Sequence, residues 1–232
     1  MDMVGRLADY NYKTGAGIKW GGFYIPIKKN DIPKDYFSLT SVSGAHELAL
    51  GVESGSNNVL EHMQKQFTVD DLDNFIENFS QHNINCSYMM IIGYPTETDE
   101  DFEQSLDLFY KHQKYVADGT IIGATLGSTV AIYPGMPLWK ERGTLIELDE
   151  SNKVDPRIGW TSKVVPHLNW EERVRRRLTA EDVCKMLKWP LLSSAREFPI
   201  IRNANEYHKK WKQGILKTST KRVVDQNHMV QV

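Results

Sequence analysis

The sequence of 232 residues is poor in cysteine, with Cys86 and Cys184 as its two examples. Two cysteines so far apart argue against a disulfide framework and are typical of a protein from a reducing compartment. No apolar run approaches the roughly 20 residues that span a bilayer, and no signal peptide is visible at the N-terminus. We therefore expect a cytoplasmic location.

The sequence also has no excess of one charge, since 28 basic and 30 acidic residues leave a net charge of −2. This balance predicts no strong attraction to nucleic acid or to an anionic membrane, so we expect neither as a partner. The seven histidines are not spaced as metal ligands, which argues against a zinc site. Apolar residues make up 41% of the chain, enough for a domain with a sizeable core.

A strand followed by a glycine-bracketed turn is the clearest local pattern. His46–Leu50 alternates as a strand does, Gly51–Gly55 reads as a polar turn, and a helix with apolar residues at helical spacing begins near Asn57. Ligands of parallel α/β proteins bind at the carboxyl ends of strands. Many α/β proteins contain such a turn, so the turn alone does not identify a function.

Two more units of the same kind follow. Thr68 with Asp71 resembles a capping box at a helix start. The apolar run within Ile84–Ile92 has the length of a strand buried on both faces. Thr98 with Asp101 then starts another helix. The βαβα alternation predicts a parallel sheet.

The flanking regions are less regular. Residues 1–16 show no clear period, and Ile18–Ile27 predicts a strand; Pro26 would either end the pairing of this strand or place the strand at a sheet edge. Gly119–Tyr133 predicts a loop that enters a further strand, closed by the Pro-Gly-Met-Pro segment at 134–137. Beyond an irregular crossing at 146–168, we expect helices at Trp170–Arg177, Thr179–Lys188 and Asn203–Leu216 and a frayed end at 218–232.

Three segments in order resemble blocks of the radical S-adenosylmethionine (SAM) superfamily, and most closely its cobalamin-binding and methylthiotransferase-like branches. They read GVESGSNNVLEHMQKQFTVDDL, INCSYMMIIGYPTETDEDFEQSL and AIYPGMPLWKERG. The resemblance covers roughly residues 17–145. It implies an α/β fold, namely strands three to six of a partial (β/α) TIM-type barrel, followed by a helical C-terminal extension. We expect the partial barrel at 1–145 and the extension at 146–232.

The resemblance also implies cofactors. Enzymes of this superfamily bind a [4Fe–4S] cluster through three cysteines in a C-x-x-x-C-x-x-C loop, and SAM binds the fourth iron. These 232 residues contain no such triad, and Cys86 and Cys184 read as buried structural thiols. The first recognisable block matches the third barrel strand. We therefore interpret the chain as the C-terminal portion of a radical SAM enzyme: a truncated gene product, a fragment or half of a split enzyme.

Under this interpretation the [4Fe–4S] cluster would come only with a missing N-terminal portion, and the chain alone would be inactive. The resemblance also admits cobalamin as a cofactor, and it leaves the substrate and the reaction open. It implies that SAM lies at the strand ends, with the carboxylate of SAM next to Lys65 and its adenine near the later strands. An ordinary solvated helix lysine is the alternative for Lys65. The candidate cofactor-binding residues are Glu53, Ser54, Gly55, Lys65, Gly93, Pro95, Ile132 and Tyr133.

Two functions from different classes stay open. The chain is either part of a radical SAM enzyme or a non-catalytic α/β binding or assembly module derived from that fold. The cluster at Arg173–Arg177 is flanked by acidic residues and is interpreted as a solvated helix face. A sheet that begins at the third barrel strand exposes an edge. We therefore expect an N-terminal half, or a second copy of the chain, to bind there.

Overall fold

A computed structural model of the chain describes residues 2–127, 130–148 and 159–193. Its strands are β1 (Phe23–Tyr24), β2 (Leu48–Glu53), β3 (Cys86–Met90), β4 (Ile121–Thr125), β5 (Ile146–Leu148), β6 (Trp160–Ser162) and β7 (Leu191–Ser193). Its α-helices are α1 (Asp2–Thr14), α2 (Tyr36–Val42), α3 (Asn57–His62), α4 (Val69–Gln81), α5 (Asp99–Lys111), α6 (Gln113–Ala117), α7 (Pro137–Lys140) and α8 (Trp170–Met186).

Among the described residues, five strands form one parallel sheet in the order β1-β2-β3-β4-β7. The predicted α/β fold with a parallel sheet is therefore confirmed. A separate antiparallel pair joins β5 to β6. The C-terminal region is not only helical, because β7 extends the main sheet beside β4.

Both predicted capping boxes are present. The Thr68 side chain accepts a hydrogen bond from the Asp71 backbone at the start of α4, and Asp71 accepts one from the Thr68 N–H in return. Thr98 and Asp101 make the same exchange at the start of α5. Each box satisfies backbone donors that a helix start leaves unpaired. The boundaries of these two helices are thus set by short-range contacts.

The two faces of the main sheet differ in side-chain size. Leu48, Leu50 and Val52 of β2 are fully buried and belong to the principal core, which α2, α4 and α5 cover. On the opposite face, Ala49 lies beside Ser87 in the register of the strands, and Gly51 lies beside Met89. Ala49 and Met89 are partly exposed, so this second face is partly accessible. We call it the inner face.

Helix α8 is a single helix where the sequence predicted two, and its arginines are not on a solvated face. Arg173, Arg175, Arg176 and Arg177 are each at most 1% exposed. The interpretation of this cluster as a solvated face is wrong, because acidic side chains of α8 itself and acidic side chains and carbonyl oxygens of other segments surround the arginines. The first turn of α8 carries acidic residues, which interact favourably with the helix dipole.

Other expectations have different outcomes. Residues 2–14 form α1, although the sequence showed no clear period there. Strand β4 ends at Thr125, several residues before the predicted strand end at Tyr133. The helix expected at Asn203–Leu216 and the end at 218–232 lie outside the described residues. Cys184, beyond residue 145, packs in the same core as β2 and β3. The division of the chain into two parts at residue 145 stays a prediction.

Both thiols are buried and free, as predicted. Within the described ranges, no helix combines the length and apolarity needed to cross a membrane.

Candidate functional site

Glu53 ends β2 in a conformation that few residues adopt. Its φ is +66°, in the left-handed region, and the register of β2 against β3 shifts between Gly51 and Glu53. The Glu53 carboxylate lies over the backbone of Gly51, where an added Cβ would stand 2.9 Å from Oε1. Gly51 is therefore required for this arrangement, which turns the carboxylate toward the inner face.

Lys65 is the partner of Glu53. The sequence had predicted each residue as a contact of SAM, but it had not predicted a contact between the two. Its Nζ donates to Glu53 Oε1 at 2.8 Å, and the two side chains are 21% and 15% exposed. A pair this far from bulk water is screened less than a surface pair. Both groups remain reachable by a ligand, because neither is fully enclosed.

The turn after Glu53 is fastened to α5. Ser54 is buried, and its Oγ lies 3.2 Å from Ser105 Oγ. The Gly55 N–H donates to Ser105 Oγ at 3.0 Å, and a Cβ on Gly55 would stand 2.6 Å from Gln104 O. Ser54 and Gly55 thus hold the turn against the helix that follows β3. The Ser54 side chain and the Gly55 backbone are committed to this packing, which fixes the position of Glu53.

Asp101 completes this attachment from the α5 side. It accepts hydrogen bonds from Ser56 Oγ and from Asn58 Nδ2, the latter at 3.0 Å. Burial alone would raise the pKa of Asp101, but the hydrogen bonds from Ser56, Thr98 and Asn58 lower the pKa below its ordinary value. The carboxylate therefore stays ionised and joins the turns that follow β2 and β3.

The loop after β3 contains Gly93 and Pro95, and α8 and β6 cover it. Gly93 has a φ of +81°, and a Cβ there would stand 2.7 Å from Arg173 Cγ. The carbonyl of Pro95 accepts a hydrogen bond from Ser162 Oγ at 2.6 Å. The start of this loop is hydrogen-bonded to the end of β2, because the Ile91 N–H donates to Glu53 O at 2.8 Å. This loop is thus packed by protein on the α8 side.

A buried ion pair secures the same loop. Arg176 Nη1 donates to Glu97 Oε2 at 3.0 Å, and both side chains are 0% exposed. Glu97 Oε2 also accepts from the Gly93 N–H at 2.9 Å. Burial raises the pKa of Glu97 to about 7, although Arg176 and the Gly93 N–H act in the opposite direction. The cationic form of Arg176 is stabilised by Glu97 and Glu172, which outweigh its own burial and raise its pKa.

Arg173 connects the Gly93 loop to the segment that contains Ile132. Its Nη2 donates to Trp160 O at 2.7 Å, and its guanidinium lies 3.6 Å from the centre of the Trp160 ring. Burial lowers the pKa of Arg173 to about 9. Trp160 Nε1 in turn donates to Val130 O at 2.9 Å. Ile132 is fully buried with Trp160, whereas Tyr133 is 46% exposed.

The structure therefore brings the predicted residues together in three groups. Glu53 and Lys65 form a direct pair, Ser54 and Gly55 hold the turn, and the Gly93 loop is joined to the 130–132 segment through Arg173. Sequence reasoning missed Arg173, Arg176 and Glu97. The signal for Glu97 was present, because Glu97 lies within GYPTET (93–98) of the second segment that resembles the family. For α8, the sequence showed that the helix has no apolar stripe. Buried helices and solvated helices can both lack such a stripe, so this feature did not decide between them.

A metal site is not formed by the described residues, where no group of three His, Cys, Asp or Glu side chains could hold an ion. Burial raises the pKa of Cys184 to about 12 and raises that of Cys86 well above its ordinary range. Buried, protonated thiols are poor ligands for iron. The cysteines of this chain therefore do not fit a [4Fe–4S] cluster.

Comparison with known proteins finds that part of the chain is similar to one protein family. Residues 28–109 match the Radical SAM superfamily. The chain is 39% identical over 126 residues to the tRNA-2-methylthio-N(6)-dimethylallyladenosine synthase of Ehrlichia ruminantium (strain Welgevonden), covering 46% of this chain and 28% of that protein. It is 34% identical over 99 residues to a probable threonylcarbamoyladenosine tRNA methylthiotransferase of Archaeoglobus fulgidus, covering 41% and 23%. The chain thus spans about a quarter of the length of these relatives.

Solved structures agree on the fold. The cobalamin-dependent SAM radical enzyme OxsB superposes with a TM-score of 0.53 at 12% identity, over 94% of this chain and 38% of that one. The archaeal Methanocaldococcus infernus Elp3 superposes with a TM-score of 0.51 at 16% identity, over 85% and 42%. At such identities the likeness concerns architecture alone.

Proposed function

We propose, from the match of residues 28–109 to the Radical SAM superfamily, that this chain forms the C-terminal portion of a radical SAM enzyme and contributes part of the SAM pocket. The cluster-binding portion would be supplied by residues other than these 232. SAM, when bound next to a reduced [4Fe–4S] cluster, supplies the radical chemistry of the family. The substrate is left open, and cobalamin stays a proposal that the likeness to the cobalamin-binding branch supports.

The Glu53–Lys65 pair carries this proposal. It lies at the carboxyl end of a parallel strand, where α/β proteins bind ligands, and its carboxylate is held toward the inner face. Glu53 would accept hydrogen bonds from the hydroxyl or amino groups of SAM. Lys65 would donate to the carboxylate of SAM. The strained φ of Glu53 supports a role in binding, because such conformations are concentrated at ligand sites.

The other candidate residues would act indirectly or through backbone groups. Ser54 and Gly55 would position Glu53, because their hydrogen bonds attach the turn after β2 to α5. Gly93 and Pro95 would form a rigid wall under α8. Ile132 would support the segment that presents Tyr133, whose ring is accessible.

The net charge of −2 argued against nucleic acid as a partner. Two relatives carry tRNA in their names, so a tRNA substrate joins this proposal as a candidate. The alternative function, a non-catalytic binding module, would keep the sheet without the SAM contact.

Isothermal titration of the full chain with SAM tests the proposal. We expect weak binding that Glu53→Ala reduces by roughly 10- to 100-fold, because a hydrogen bond to a charged group contributes about 1.5–3 kcal/mol. Glu61→Ala removes an exposed glutamate of α3 and serves as the matched control. Equal affinity in the Glu53→Ala and Glu61→Ala proteins would remove Glu53 from the pocket. No SAM binding by the unaltered chain would favour the non-catalytic module.

A further inference from the structure

A chain of three polar side chains enters the core between α4, β3 and the junction of α5 with α6. The Tyr88 hydroxyl lies 2.7 Å from His112 Nδ1, and His112 Nε2 lies 2.7 Å from Asp73 Oδ1. Tyr88 is fully buried and His112 is 1% exposed, whereas the Asp73 side chain is 24% exposed. Tyr88 belongs to the principal core, on the side of the sheet opposite the inner face. The proposed function uses none of these residues.

Asp73 fixes one proton on the His112 ring. Burial alone would raise the pKa of Asp73, but the hydrogen bonds from His112 and Lys111 lower the pKa below its ordinary value. The carboxylate is therefore ionised, and an ionised carboxylate only accepts hydrogen bonds. His112 Nε2 consequently carries a proton and donates it to Asp73 Oδ1.

The Tyr88 hydroxyl determines the charge of the ring. In a neutral imidazole with its proton on Nε2, Nδ1 is an acceptor, and the Tyr88 O–H donates to it. A charged imidazole would donate from Nδ1 as well, and the Tyr88 hydroxyl proton would then need another acceptor. Among the described residues, His112 is the one hydrogen-bond partner of this hydroxyl. Because an unpaired buried donor costs free energy, the resting state is a phenol that donates to a neutral imidazole.

This resting state has what the one-electron oxidation of a phenol requires. A phenol that loses an electron becomes a strong acid, so the oxidation is favourable when a base takes the proton at the same time. His112 Nδ1 is a base at hydrogen-bond distance, which is the reach that proton transfer needs. The imidazolium that forms faces the Asp73 carboxylate, and an opposite charge stabilises it. The phenoxyl oxygen then accepts from the new N–H, so no buried polar group loses its partner.

The surroundings of Tyr88 suit a radical that persists. Because the phenol is fully buried, its radical cannot meet a phenol of a second molecule. The Trp189 ring, which is 3% exposed, lies 5.4 Å from the Tyr88 ring between centres and provides a neighbouring aromatic group for electron transfer. Consecutive side chains of a strand point to opposite faces. The phenol therefore lies across the sheet from the inner face, onto which Met89 projects.

We propose that Tyr88 is a redox-active tyrosine whose oxidation is coupled to proton transfer to His112. A one-electron outer-sphere oxidant takes one electron from the phenol and is itself reduced by one electron. The O–H bond of Tyr88 breaks, and its proton forms an N–H bond at His112 Nδ1. The products are a neutral tyrosyl radical and an imidazolium beside the unchanged Asp73 carboxylate. This activity belongs to the chain itself and does not depend on the proposed function.

Flash oxidation of the full chain tests the proposal. Photoexcited ruthenium(II) tris-bipyridine, quenched by hexaamminecobalt(III), gives the ruthenium(III) complex as the one-electron oxidant, and electron paramagnetic resonance detects the radical. We expect a tyrosyl radical that outlives those of the exposed tyrosines and that forms more slowly in deuterium oxide. In a chain with ¹⁵N-labelled histidine, electron–nuclear double resonance should detect an exchangeable proton and a histidine nitrogen coupled to the radical. These measurements use the unaltered chain, so they decide the matter even where a variant does not fold.

Three variants identify the residues. Tyr88→Phe should remove the long-lived radical, whereas Tyr12→Phe, which removes a tyrosine that is 85% exposed, should leave it. His112→Gln keeps an acceptor for the hydroxyl but removes the base. We expect His112→Gln to slow radical formation by roughly 100-fold, within the range that a positioned proton acceptor contributes. A purely structural role of the network predicts a loss of stability in this variant without an effect on radical formation.

Three results would overturn the proposal. The first is that flash oxidation produces no long-lived tyrosyl radical in the unaltered chain. The second is that this radical persists in Tyr88→Phe or shows no coupling to a histidine nitrogen. The third is that a folded His112→Gln protein, as judged by circular dichroism, forms the radical at the unaltered rate.

Discussion

Replacing Arg176 by Met should be among the most damaging single changes to the stability of this protein. Arg176 donates to Glu97 Oε2, to the carbonyls of Glu97 and Thr98, to Asp99 Oδ1 and to Glu172 Oε1, at 2.6–3.0 Å. Methionine keeps much of the length and helix propensity of arginine, so the change removes mainly the charge and the donors. The perturbation therefore isolates the polar contacts.

The expected loss follows from what remains behind. Glu172 keeps its pair with Arg175, whereas Glu97 is left with the Gly93 N–H as its described hydrogen-bond partner. Removing one member of a buried pair costs about 3–5 kcal/mol, because the other charge is left uncompensated. This is a large part of the 5–15 kcal/mol that typically separates a native domain from its unfolded state.

The pH dependence gives a second signature. The pKa of Glu97 is about 7 with Arg176 present, and loss of the cation raises that pKa further. Near pH 5 the native carboxyl is then neutral and needs no partner. The penalty of Arg176→Met should therefore be largest near pH 8 and clearly smaller near pH 5.

Urea unfolding, followed by tryptophan fluorescence and by circular dichroism, measures this penalty. Lys13→Met is the control, since it removes a lysine from an exposed pair with Asp9 and should cost less than about 1 kcal/mol. Adding Glu97→Gln to Arg176→Met should recover part of the loss, because the buried charge is gone. A penalty below about 1 kcal/mol at pH 8, or one that Glu97→Gln leaves unchanged, would refute the reasoning.

Three further predictions concern stability and the thiols. In the unaltered chain, the contribution of Glu97 to the free energy of unfolding should fall as pH rises from about 4.5 to about 7, because Glu97 keeps its proton to a higher pH in the native state than in the unfolded state. A Glu97→Gln protein whose free energy of unfolding has the same pH dependence would contradict this. Gly55→Ala should cost about 1–3 kcal/mol in urea unfolding through overlap with α5, whereas Gly5→Ala, which meets no atom within 4 Å, should not destabilise; equal midpoints would refute it. Neither thiol should react with a disulfide reagent at pH 8 until the chain unfolds, and anaerobic reconstitution of the chain alone should yield no [4Fe–4S] cluster; rapid labelling, or stoichiometric iron and sulfide, would show otherwise.

Local patterns were sufficient to predict the middle of the chain. The capping boxes of α4 and α5 depend on residues three apart, and the β3 run is apolar throughout. Glu53 and Lys65 could be proposed as neighbours of one ligand from their matched positions. Their direct contact could not, because it depends on the left-handed turn at Glu53 and the bulge before it.

Long-range contacts account for what the sequence did not predict. Arg176 is buried against Glu97 and Asp99, and Arg177 against the carbonyl of Gly127, all distant in sequence. Strand β7 is three residues long and acquires its identity by pairing with β4. A short segment without periodicity carries no local signal for such pairing.

The distance along the chain between Glu97 and Arg176 has a consequence for biosynthesis. The two residues are 79 positions apart, so at 5–20 residues per second a ribosome adds the arginine about 4–16 s after the glutamate. Throughout that interval the nascent β3–α5 connection lacks the cation that later fixes it. The first βα units can form during translation, but the 93–98 loop gains its contacts with Arg176 only when α8 is made.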